Sequence, residues 1–534
     1  MGGCSKDVSY LDRRFSKTVR DNVHGNIYLD PLTLKFVDTE QFQRQAQTSR
    51  SKATRTLISI TVKCDVRIHS LTYMVYPGAV HSRFEHSLGV FSLAGEAVHR
   101  IKAQQGSELG IDNLDIQTVK LAGLLHDVGH GPFSHMFERE FLRQIPHGIK
   151  WCHEDMSVRM IDHIVDFHNI DIDAECLKKA KEMVIASTEH VSHKSVNEKH
   201  FLYDIVANGR NGIDVDKLVD LSLYTSPYES PISLFGVTFT AHGFDNKKLS
   251  ARFDYIVRDS RACGLGCSFQ IERLMDSMRV MGDEICYRDK DYLTIFKLFS
   301  SRADLHRTVY THAKVKAIDM MFVDSLIKAD DYLQISSKIQ DPAEFWKIDD
   351  SILKTIEISH DQELKEARDL IMRIRRRDLY QFCNEFSVPK DKLEHFKDIT
   401  PQDIVCSQGN GDATLKEEDV VVCNVKIDLT RGRSNPLENF LREYVSVSRF
   451  FNSLPYYQDF ESNEKFPIHD YRISHLLPAF CEDRIVRVYS KNPDLVKTVS
   501  EAFENFQLKT YGMKAQVHAT PDRKRNRRRL EQSY

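Results

Sequence analysis

Apolar residues recur three and four positions apart through most of residues 83–213, and this spacing dominates what the chain can fold into. Residues with that spacing share one face of an α-helix, so the stretch predicts several helices packed on their apolar faces. The same pattern returns from Phe253 to about Phe382. The chain has 534 residues, of which 41% are hydrophobic, so it carries enough apolar material for a large helical core.

Beyond Pro389 the pattern changes from helical spacing to alternation, most clearly in residues 420–427 and 484–489. Alternation predicts strands, and residues 501–506 are typical of a final helix. We therefore expect a mainly α protein with a helical core and a smaller α+β C-terminal lobe. The expected divisions are a disordered N-terminus (1–20), the helical domain (21–385), the C-terminal lobe (386–518) and a basic tail (519–534).

Three histidines and one aspartate lie within ten residues, from His126 to His135, in the sequence LHDVGHGPFSH. On a predicted helix, His126 and His130 share a face while Asp127 points about 100° away. Both side chains of the His126-Asp127 pair can then reach one cation beyond the helix end. Imidazole and carboxylate ligands suit Fe, Mn, Zn or Mg, so the motif predicts a divalent-metal site.

Two other segments supply candidate partners for this pair. Upstream, His86 is a further candidate ligand, and Arg83 lies three residues before it, where a guanidinium can hold a phosphate. Downstream, the segment NGIDVDK offers Asp216 as a fourth ligand and Lys217 as a phosphate contact. Taken alone, that segment is more typical of a turn with two solvated acids. Together, the segments supply two histidines and two aspartates for one metal.

A second set of polar residues follows the motif and comprises His130, His135, Glu138 and His153. A hydrolase needs a proton donor for the leaving oxygen, and histidine suits that task near neutral pH. Glu138 is placed to orient a histidine or to raise its basicity. Each of these residues can instead be a core residue with satisfied hydrogen bonds.

At these residues the chain resembles the eukaryotic HD-domain deoxynucleoside triphosphate (dNTP) triphosphohydrolases, the SAM- and HD-domain-containing family. The likeness runs from about Val23 to Gln516, and its most specific pieces are residues 76–79, 83–90, 122–137, 211–217 and 328–332. The resemblance implies hydrolysis of a dNTP at the α-phosphorus, giving a deoxynucleoside and inorganic triphosphate. No SAM domain is expected before the HD part, since only about twenty residues precede it.

The resemblance also implies residue roles. The family's metal ligands match His86, His126, Asp127 and Asp216, and its catalytic His–acid–His group matches His130, Glu138 and His153. The family usually has aspartate where this chain has Glu138, and His135 matches a candidate general acid. Phosphate contacts match Arg83, Lys217 and Arg302, while Tyr255, Asp259, His306 and Tyr310 match residues that line the sugar and base. The family's counterpart of Tyr310 packs where a ribose 2′-hydroxyl would sit, which favours deoxy substrates.

Regulation and partners are implied in the same way. Lys17, Val23, Asp38 and Gln43 fall near positions of a nucleotide activator site, which implies a GTP or dNTP activator and a homodimer or homotetramer. Magnesium would accompany the nucleotide. No apolar run is long enough to span a membrane. The basic run at 523–529 predicts nuclear import, with the cytoplasm as a second location, or a weak nucleic-acid contact. The net charge of −3 argues against a polycation that coats nucleic acid.

Three segments depart from the family pattern. Residues 45–72 replace a run that contacts the sugar and carries an activator arginine, residues 218–252 separate Lys217 from Phe253-Asp254-Tyr255, and residues 439–456 form an additional insert. We interpret them as foreign segments, for instance from retained introns. Two alternatives therefore stand beside the dNTP triphosphohydrolase: an HD phosphohydrolase acting on another nucleotide or on RNA, and a catalytically impaired nucleotide- or nucleic-acid-binding homologue.

Overall fold

The computed structural model describes eleven segments of the chain. They are residues 16–46, 71–145, 151–186, 199–208, 213–214, 251–252, 254–266, 271–409, 414–428, 456–457 and 482–514. The predicted basic tail and most of the three atypical segments lie outside them. The described residues divide into two compact units, one within 1–377 and 427–482 and the other within 378–426 and 483–534. The predicted fold class is confirmed, because the protein is mainly helical and has only small sheets.

The larger unit contains most of the helices. They are α1 (Pro31–Val37), α2 (Glu40–Gln43), α3 (Arg83–Leu109), α4 (Asn113–Leu125), α5 (His153–His168), α6 (Ala174–Ile185), α7 (His200–Val206), α8 (Asp254–Ala262), α9 (Ile271–Asp276), α10 (Tyr292–Leu305), α11 (Ala313–Leu333), α12 (Ile335–Lys338), α13 (Pro342–Phe345), α14 (Ile352–Ile358) and α15 (Lys365–Arg375). Its strands are β1 (Lys17–Asp21), β2 (Gly25–Leu29), β3 (Ile213–Asp214), β4 (Ala251–Arg252), β5 (Arg279–Val280) and β6 (Ile285–Arg288). Two single π-helical turns, Phe137–Phe141 and His306–Tyr310, carry residues predicted for the site.

An antiparallel hairpin opens the described chain, with Lys17 of β1 opposite Leu29 of β2 and Asp21 opposite Gly25. It begins inside the N-terminal segment for which we expected disorder. Asp30 then caps α1 by accepting a hydrogen bond from the Thr33 backbone N–H at 2.9 Å. The described chain thus begins with an extended hairpin followed by a short helix.

Helices α3 and α4 form the centre of the larger unit. A capping box starts α3, since the Ser82 backbone N–H donates to the Glu85 carboxylate at 2.6 Å. The two helices pack closely at Gly123 of α4, where a β-carbon would sit 3.1 Å from the Ala94 side chain and 3.3 Å from the Val90 carbonyl oxygen. This tight crossing fixes the end of α4 beside the start of α3, and the site lies there.

The smaller unit contains a three-stranded sheet in the order β7 (Gln381–Ser387), β10 (Glu482–Ser490), β8 (Val420–Asp428). A short strand β9 (Tyr456–Tyr457) belongs to the larger unit, where it pairs with β6. Helices α16 (Pro401–Val405) and α17 (Val496–Tyr511) complete the smaller unit. Its core includes Ile404, Val486, Val499 and Phe503, all fully buried. The predicted strands and final helix are present, but β7 begins where we expected helix to continue.

None of the described helices is both long and apolar enough to cross a membrane.

Candidate metal centre and catalytic cluster

The His126-Asp127 pair lies at the end of α4 and not within a helix, so that part of the prediction is wrong. Helix α4 ends at Leu125, His126 caps it, and a turn follows. Proline disfavours helical backbone at the preceding residue, so Gly131-Pro132 prevents the helix from continuing. Gly129 also lies against α5 so closely that a β-carbon would overlap the Ser157 backbone nitrogen. The motif therefore crosses α5 as a turn, and this turn brings its side chains together.

Three of the predicted metal ligands form a buried cluster. The donor atoms of His86, His126 and Asp127 all lie within 4.8 Å of one another. His126 Nδ1 is 2.8 Å from the Gly123 carbonyl oxygen, and its Nε2 is 3.2 Å from Asp127 Oδ1. His86 Nδ1 is 2.7 Å from Asp254 Oδ2, and its Nε2 is 3.7 Å from Asp127 Oδ2.

Each imidazole of the cluster therefore uses Nδ1 on an outer acceptor and directs Nε2 toward the shared carboxylate. An imidazole whose Nδ1 carries the proton has its lone pair on Nε2, which is the arrangement typical of metal-ligating histidines. Two such nitrogens and one carboxylate suit a borderline divalent ion such as Fe, Mn or Zn. The residues present thus fit the metal that the sequence predicted.

Arg83 lies beside this cluster at the start of α3. Its Nε donates to Ser134 Oγ at 2.7 Å, and its Nη1 contacts the Asp127 carboxylate. Burial alone would raise the pKa of Asp127, but the positive charge of Arg83, followed by His126 and His130, holds that pKa well below its usual range. Asp127 is therefore ionised at neutral pH, as a metal ligand must be.

The four residues of the predicted catalytic group also come together. This catalytic cluster comprises His130, His135, Glu138 and His153. The rings of His130 and His153 stack with centroids 3.7 Å apart, and the ring of His135 meets His130 edge-on at 5.0 Å. His153 Nδ1 lies 2.9 Å from Glu138 Oε2 and 3.2 Å from Glu154 Oε2. The glutamate at 138 therefore reaches the histidine that it was predicted to orient.

The three imidazoles of this cluster differ in basicity. Burial, followed by the positive charge of nearby arginines, holds the pKa of His130 and of His135 well below the usual value. Burial would also lower the pKa of His153, but the carboxylates of Glu154 and Glu138 outweigh it and raise that pKa. His153 is therefore the ring of the cluster that binds a proton most readily.

Most of the residues predicted to line the sugar and base also lie together. The Tyr310 hydroxyl donates to Asp259 Oδ2 at 2.5 Å, and the His306 ring lies 5.0 Å from the Tyr310 ring. Burial, followed by the charge of Asp259 and the proximity of Tyr255, raises the pKa of Tyr310 well above its usual value. Tyr310 is thus a fixed, protonated donor. His81 Nε2 lies 2.6 Å from the other oxygen of Asp259, a contact that the sequence did not predict.

The predicted phosphate contacts are described only in part. Arg302 is buried on α10, one turn before the π-helical turn His306–Tyr310. Asp216 and Lys217 lie outside the described residues. The segments on either side meet, since β3 and β4 pair in parallel with Ile213 opposite Ala251. The described residues on either side of this segment therefore lie next to each other.

The predicted activator residues lie on the hairpin and the helices that follow it. Lys17 Nζ is 3.3 Å from Asp38 Oδ2, and both side chains are exposed. The Gln43 side-chain amide donates to the Val37 carbonyl oxygen at 2.7 Å. Val23 lies in the hairpin turn. The structure thus brings Lys17 and Asp38 together as a charged pair on the surface.

Two buried residues that support the site were not predicted. Arg44 donates to the carbonyl oxygens of Val128 at 3.0 Å and His130 at 2.6 Å, so it holds the motif's turn directly. Asp254 contacts His86. Burial alone would raise the pKa of Asp254, but Arg258, followed by His24 and His86, holds that pKa well below its usual range. A lone arginine and a lone aspartate carry no pattern in the sequence, and only the folded contacts reveal them.

Comparisons with known proteins agree with this geometry. The family described as "HD domain" matches residues 83–215, and the family described as "HD associated region" matches residues 269–419. A Dictyostelium discoideum protein described as a deoxynucleoside triphosphate triphosphohydrolase SAMHD1 homolog is 33% identical, covering 98% of this chain and 87% of its own length. The human deoxynucleoside triphosphate triphosphohydrolase SAMHD1 is 31% identical, covering 92% of this chain and 74% of its own length.

A more distant relative extends the comparison. A putative HD domain-containing protein of Acanthamoeba polyphaga mimivirus is 24% identical over 92% of this chain and 96% of its own length. The turn at the end of α4, its cluster of histidine and aspartate donors and these long matches lead to one assignment. The chain belongs to the family of SAMHD1-like HD-domain dNTP triphosphohydrolases.

Proposed function

We propose that this protein is a metal-dependent, dGTPase-like dNTP triphosphohydrolase, which converts a dNTP to a deoxynucleoside and inorganic triphosphate. One observation carries the proposal. His130 Nε2 lies 3.3 Å from Asp127 Oδ1, so the catalytic cluster and the metal centre are in direct contact. A phosphorus atom held there would face a cation on one side and the histidines of the catalytic cluster on the other. The relatives described as dNTP triphosphohydrolases support the choice of substrate.

In this reaction the bond between the α-phosphorus and the 5′-oxygen breaks. A water oxygen bonds to phosphorus, and a proton goes to the 5′-oxygen. His86, His126, Asp127 and Asp216 would hold a divalent ion. Such an ion supplies a Lewis acid that activates water and neutralises charge on the phosphate.

The catalytic cluster would deliver the proton to the 5′-oxygen. Glu138 and Glu154 hold a proton on His153, and the stacked ring of His130 separates that proton from the metal side. The His135 ring lies 5.6 Å from the His153 ring, and burial holds the pKa of His135 well below its usual value. A negatively charged triphosphate favours the protonated imidazole, so His135 acts as general acid once substrate is bound.

The substrate would be held at both ends. Arg83, Lys217 and Arg302 would contact the phosphates. Tyr255, Asp259, His306 and Tyr310 would line the sugar and base. Because Asp259 fixes the Tyr310 hydroxyl, that ring cannot easily move aside for a ribose 2′-hydroxyl. This rigidity favours deoxynucleotides.

Regulation and location belong to the same proposal. A GTP or dNTP activator would bind near Lys17, Val23, Asp38 and Gln43, where Lys17 already lies beside Asp38. Magnesium would arrive with the nucleotide, and the chain would act as a homodimer or homotetramer. The basic run at 523–529 would direct it to the nucleus.

The most informative test is direct. Purified full-length protein is incubated with dGTP and Mn²⁺ or Mg²⁺, with and without GTP, and the products are separated by anion exchange. We expect inorganic triphosphate and deoxyguanosine in equal amounts. Because the bond at the α-phosphorus is the one that breaks, neither orthophosphate nor diphosphate should accompany them.

Other outcomes of this assay would favour the alternatives. Hydrolysis of a nucleoside monophosphate, a cyclic nucleotide or an RNA end, without triphosphate release, would favour a different HD phosphohydrolase. Protein that contains a full equivalent of metal but hydrolyses none of these would favour a nucleotide- or nucleic-acid-binding homologue with a disabled site. Either result would overturn the proposal.

A second prediction concerns pH and Glu138. The carboxylate raises the pKa of His153. Protonated His153 would be the source of the proton that His135 passes to the leaving oxygen, so activity falls as pH rises through the pKa of His153. Replacing Glu138 with glutamine removes one of the charges that hold the proton. We expect the alkaline limb of the kcat–pH profile of Glu138→Gln to move to lower pH.

The matched control is Glu138→Asp, which keeps the charge and restores the family's usual residue. Its alkaline limb should stay near that of the wild type. An unchanged limb in Glu138→Gln, or an equal shift in both variants, would contradict the role assigned to Glu138.

A further inference from the structure

Asp254 lies at the first position of α8 and is fully buried. Its Oδ2 is 2.7 Å from His86 Nδ1 and 2.9 Å from Arg258 Nε. Its Oδ1 is 2.6 Å from His24 Nε2 and 2.8 Å from Arg258 Nη2. An ionised carboxylate only accepts hydrogen bonds, so both histidine nitrogens that face it carry protons.

This contact fixes the state of His86. With the proton held on Nδ1, the lone pair is on Nε2, the atom that faces Asp127 at 3.7 Å. A carboxylate behind a ligating imidazole also fixes the ring's orientation and makes it a stronger donor. Asp254 is therefore on the outer side of His86 and not a ligand itself.

The hairpin turn holds Asp254 from the other side. The Asp21 carboxylate accepts the backbone N–H groups of Val23 at 2.8 Å and His24 at 2.7 Å, which fixes the turn. Arg258 then donates to Asp21 at 2.9 and 3.3 Å while it also bonds Asp254. The turn thus reaches Asp254 by two routes, through His24 and through Arg258.

Gly89 provides the space for this arrangement. It lies on α3 one turn after His86, and a β-carbon there would overlap Asp254 Oδ1 and approach Arg258 Nη2 to 2.7 Å. Glycine inside a helix is less favourable than alanine. Glycine is nevertheless required at this position, because the Asp254 carboxylate lies against the helix backbone.

We propose that Asp254 is a positioning residue for His86, and that the hairpin turn holds Asp254 in place through His24 and Arg258. The metal affinity of the centre then depends on a turn in the N-terminal hairpin, remote in sequence from the ligands. The inference rests on His86 being a metal ligand, as in the proposed function. The same hairpin carries Lys17 and Val23, so an activator bound there would act on an element already linked to the metal ligand.

The principal test replaces Asp254 with asparagine. An amide offers one accepting oxygen and a donating nitrogen, so it cannot serve His86, His24 and Arg258 together. The affinity of metal-free full-length protein for Co²⁺ is measured by chelator competition, and the Co²⁺ absorption spectrum is recorded. No nucleotide is present. We expect affinity to fall roughly 10- to 100-fold in Asp254→Asn, as for other outer partners of metal ligands, with a changed spectrum.

Two further variants test the geometry. Gly89→Ala keeps every charge but displaces the carboxylate, so it should weaken Co²⁺ binding as Asp254→Asn does. His24→Phe removes the hairpin's direct hydrogen bond and leaves the contact between Asp254 and His86, so its affinity should lie between wild type and Asp254→Asn. Wild-type affinity for Co²⁺ in His24→Phe would show that the hairpin does not hold Asp254 in place.

The matched control is Asp330→Asn. This buried aspartate accepts hydrogen bonds from the Ser336 backbone N–H at 2.7 Å and hydroxyl at 2.6 Å, away from the metal centre. It should lower the melting temperature of the metal-free protein without changing Co²⁺ affinity or spectrum. Wild-type affinity and spectrum in Asp254→Asn, or an equal loss in Asp330→Asn, would overturn the inference. Absence of dNTP hydrolysis would not, because these measurements involve no substrate.

Discussion

Replacing His126 with alanine should abolish both metal retention and triphosphate release. The side chain supplies Nε2 to the cluster, with Nδ1 fixed on the Gly123 carbonyl oxygen, and alanine offers no donor atom in its place. Losing the charge stabilisation of a bound cation should lower kcat by roughly three orders of magnitude, equivalent to about 4 kcal/mol. Metal content measured by mass spectrometry and triphosphate release measured on the same preparation would check both expectations.

The matched control is His163→Ala on α5, the same substitution at a half-buried histidine outside both clusters. It should retain metal and activity. Full activity in His126→Ala would remove this residue from the metal centre, and full metal content without activity would assign it a different role.

The largest expected effect on stability comes from Arg44. Its guanidinium is buried and donates to four carbonyl oxygens, those of Phe345 at 3.2 Å, Ile348 at 3.1 Å, Val128 at 3.0 Å and His130 at 2.6 Å. Burial lowers the pKa of Arg44 to about 10, which leaves it charged at neutral pH. Arg44→Leu would leave these carbonyls without their donor, so the free energy of unfolding should fall by roughly 3–5 kcal/mol.

Urea titration followed by far-UV circular dichroism would measure this loss. The control is Arg376→Leu, the same substitution at an exposed arginine, which should change stability little. Arg44→Lys should fall between the two, because an ammonium keeps the charge but cannot span the four acceptors. Equal stability in Arg44→Leu and Arg376→Leu would contradict this account of the buried arginine.

The parts of the fold that follow from local sequence could be predicted. Helical spacing identified the region of α3 to α7, and alternation identified β8 and β10. Each pattern arises within a single helix or strand, because its apolar side chains face the core. The clustering of histidine and carboxylate donors at the end of α4 could be predicted because His126 and Asp127 are adjacent in sequence and His130 follows within one turn. The turn that replaces the predicted helix there depends on α5, which packs against Gly129 from more than twenty residues away.

The supporting residues could not be predicted for a related reason. His86 and Asp254 are separated by 168 residues, and nothing near either one in the sequence indicates the other. A buried charged residue acquires its role only from the residues that it contacts in the folded protein. The resemblance to a family could name ligands that align with a motif, but Asp254 lies two residues beyond a segment that departs from the family pattern. Its role follows from distances alone.

The contacts of Arg44 have a consequence for synthesis of the protein. Arg44 is synthesised 304 residues before Ile348, so its guanidinium cannot bond to all of its acceptors until Ile348 has been added to the chain. At about 5–20 residues per second, a ribosome needs roughly 15–60 s to cover that distance. During this interval the nascent chain carries histidine and carboxylate donors whose supporting arginine has only some of its partners. Loading of the correct ion is therefore expected to follow release of most of the larger unit from the ribosome.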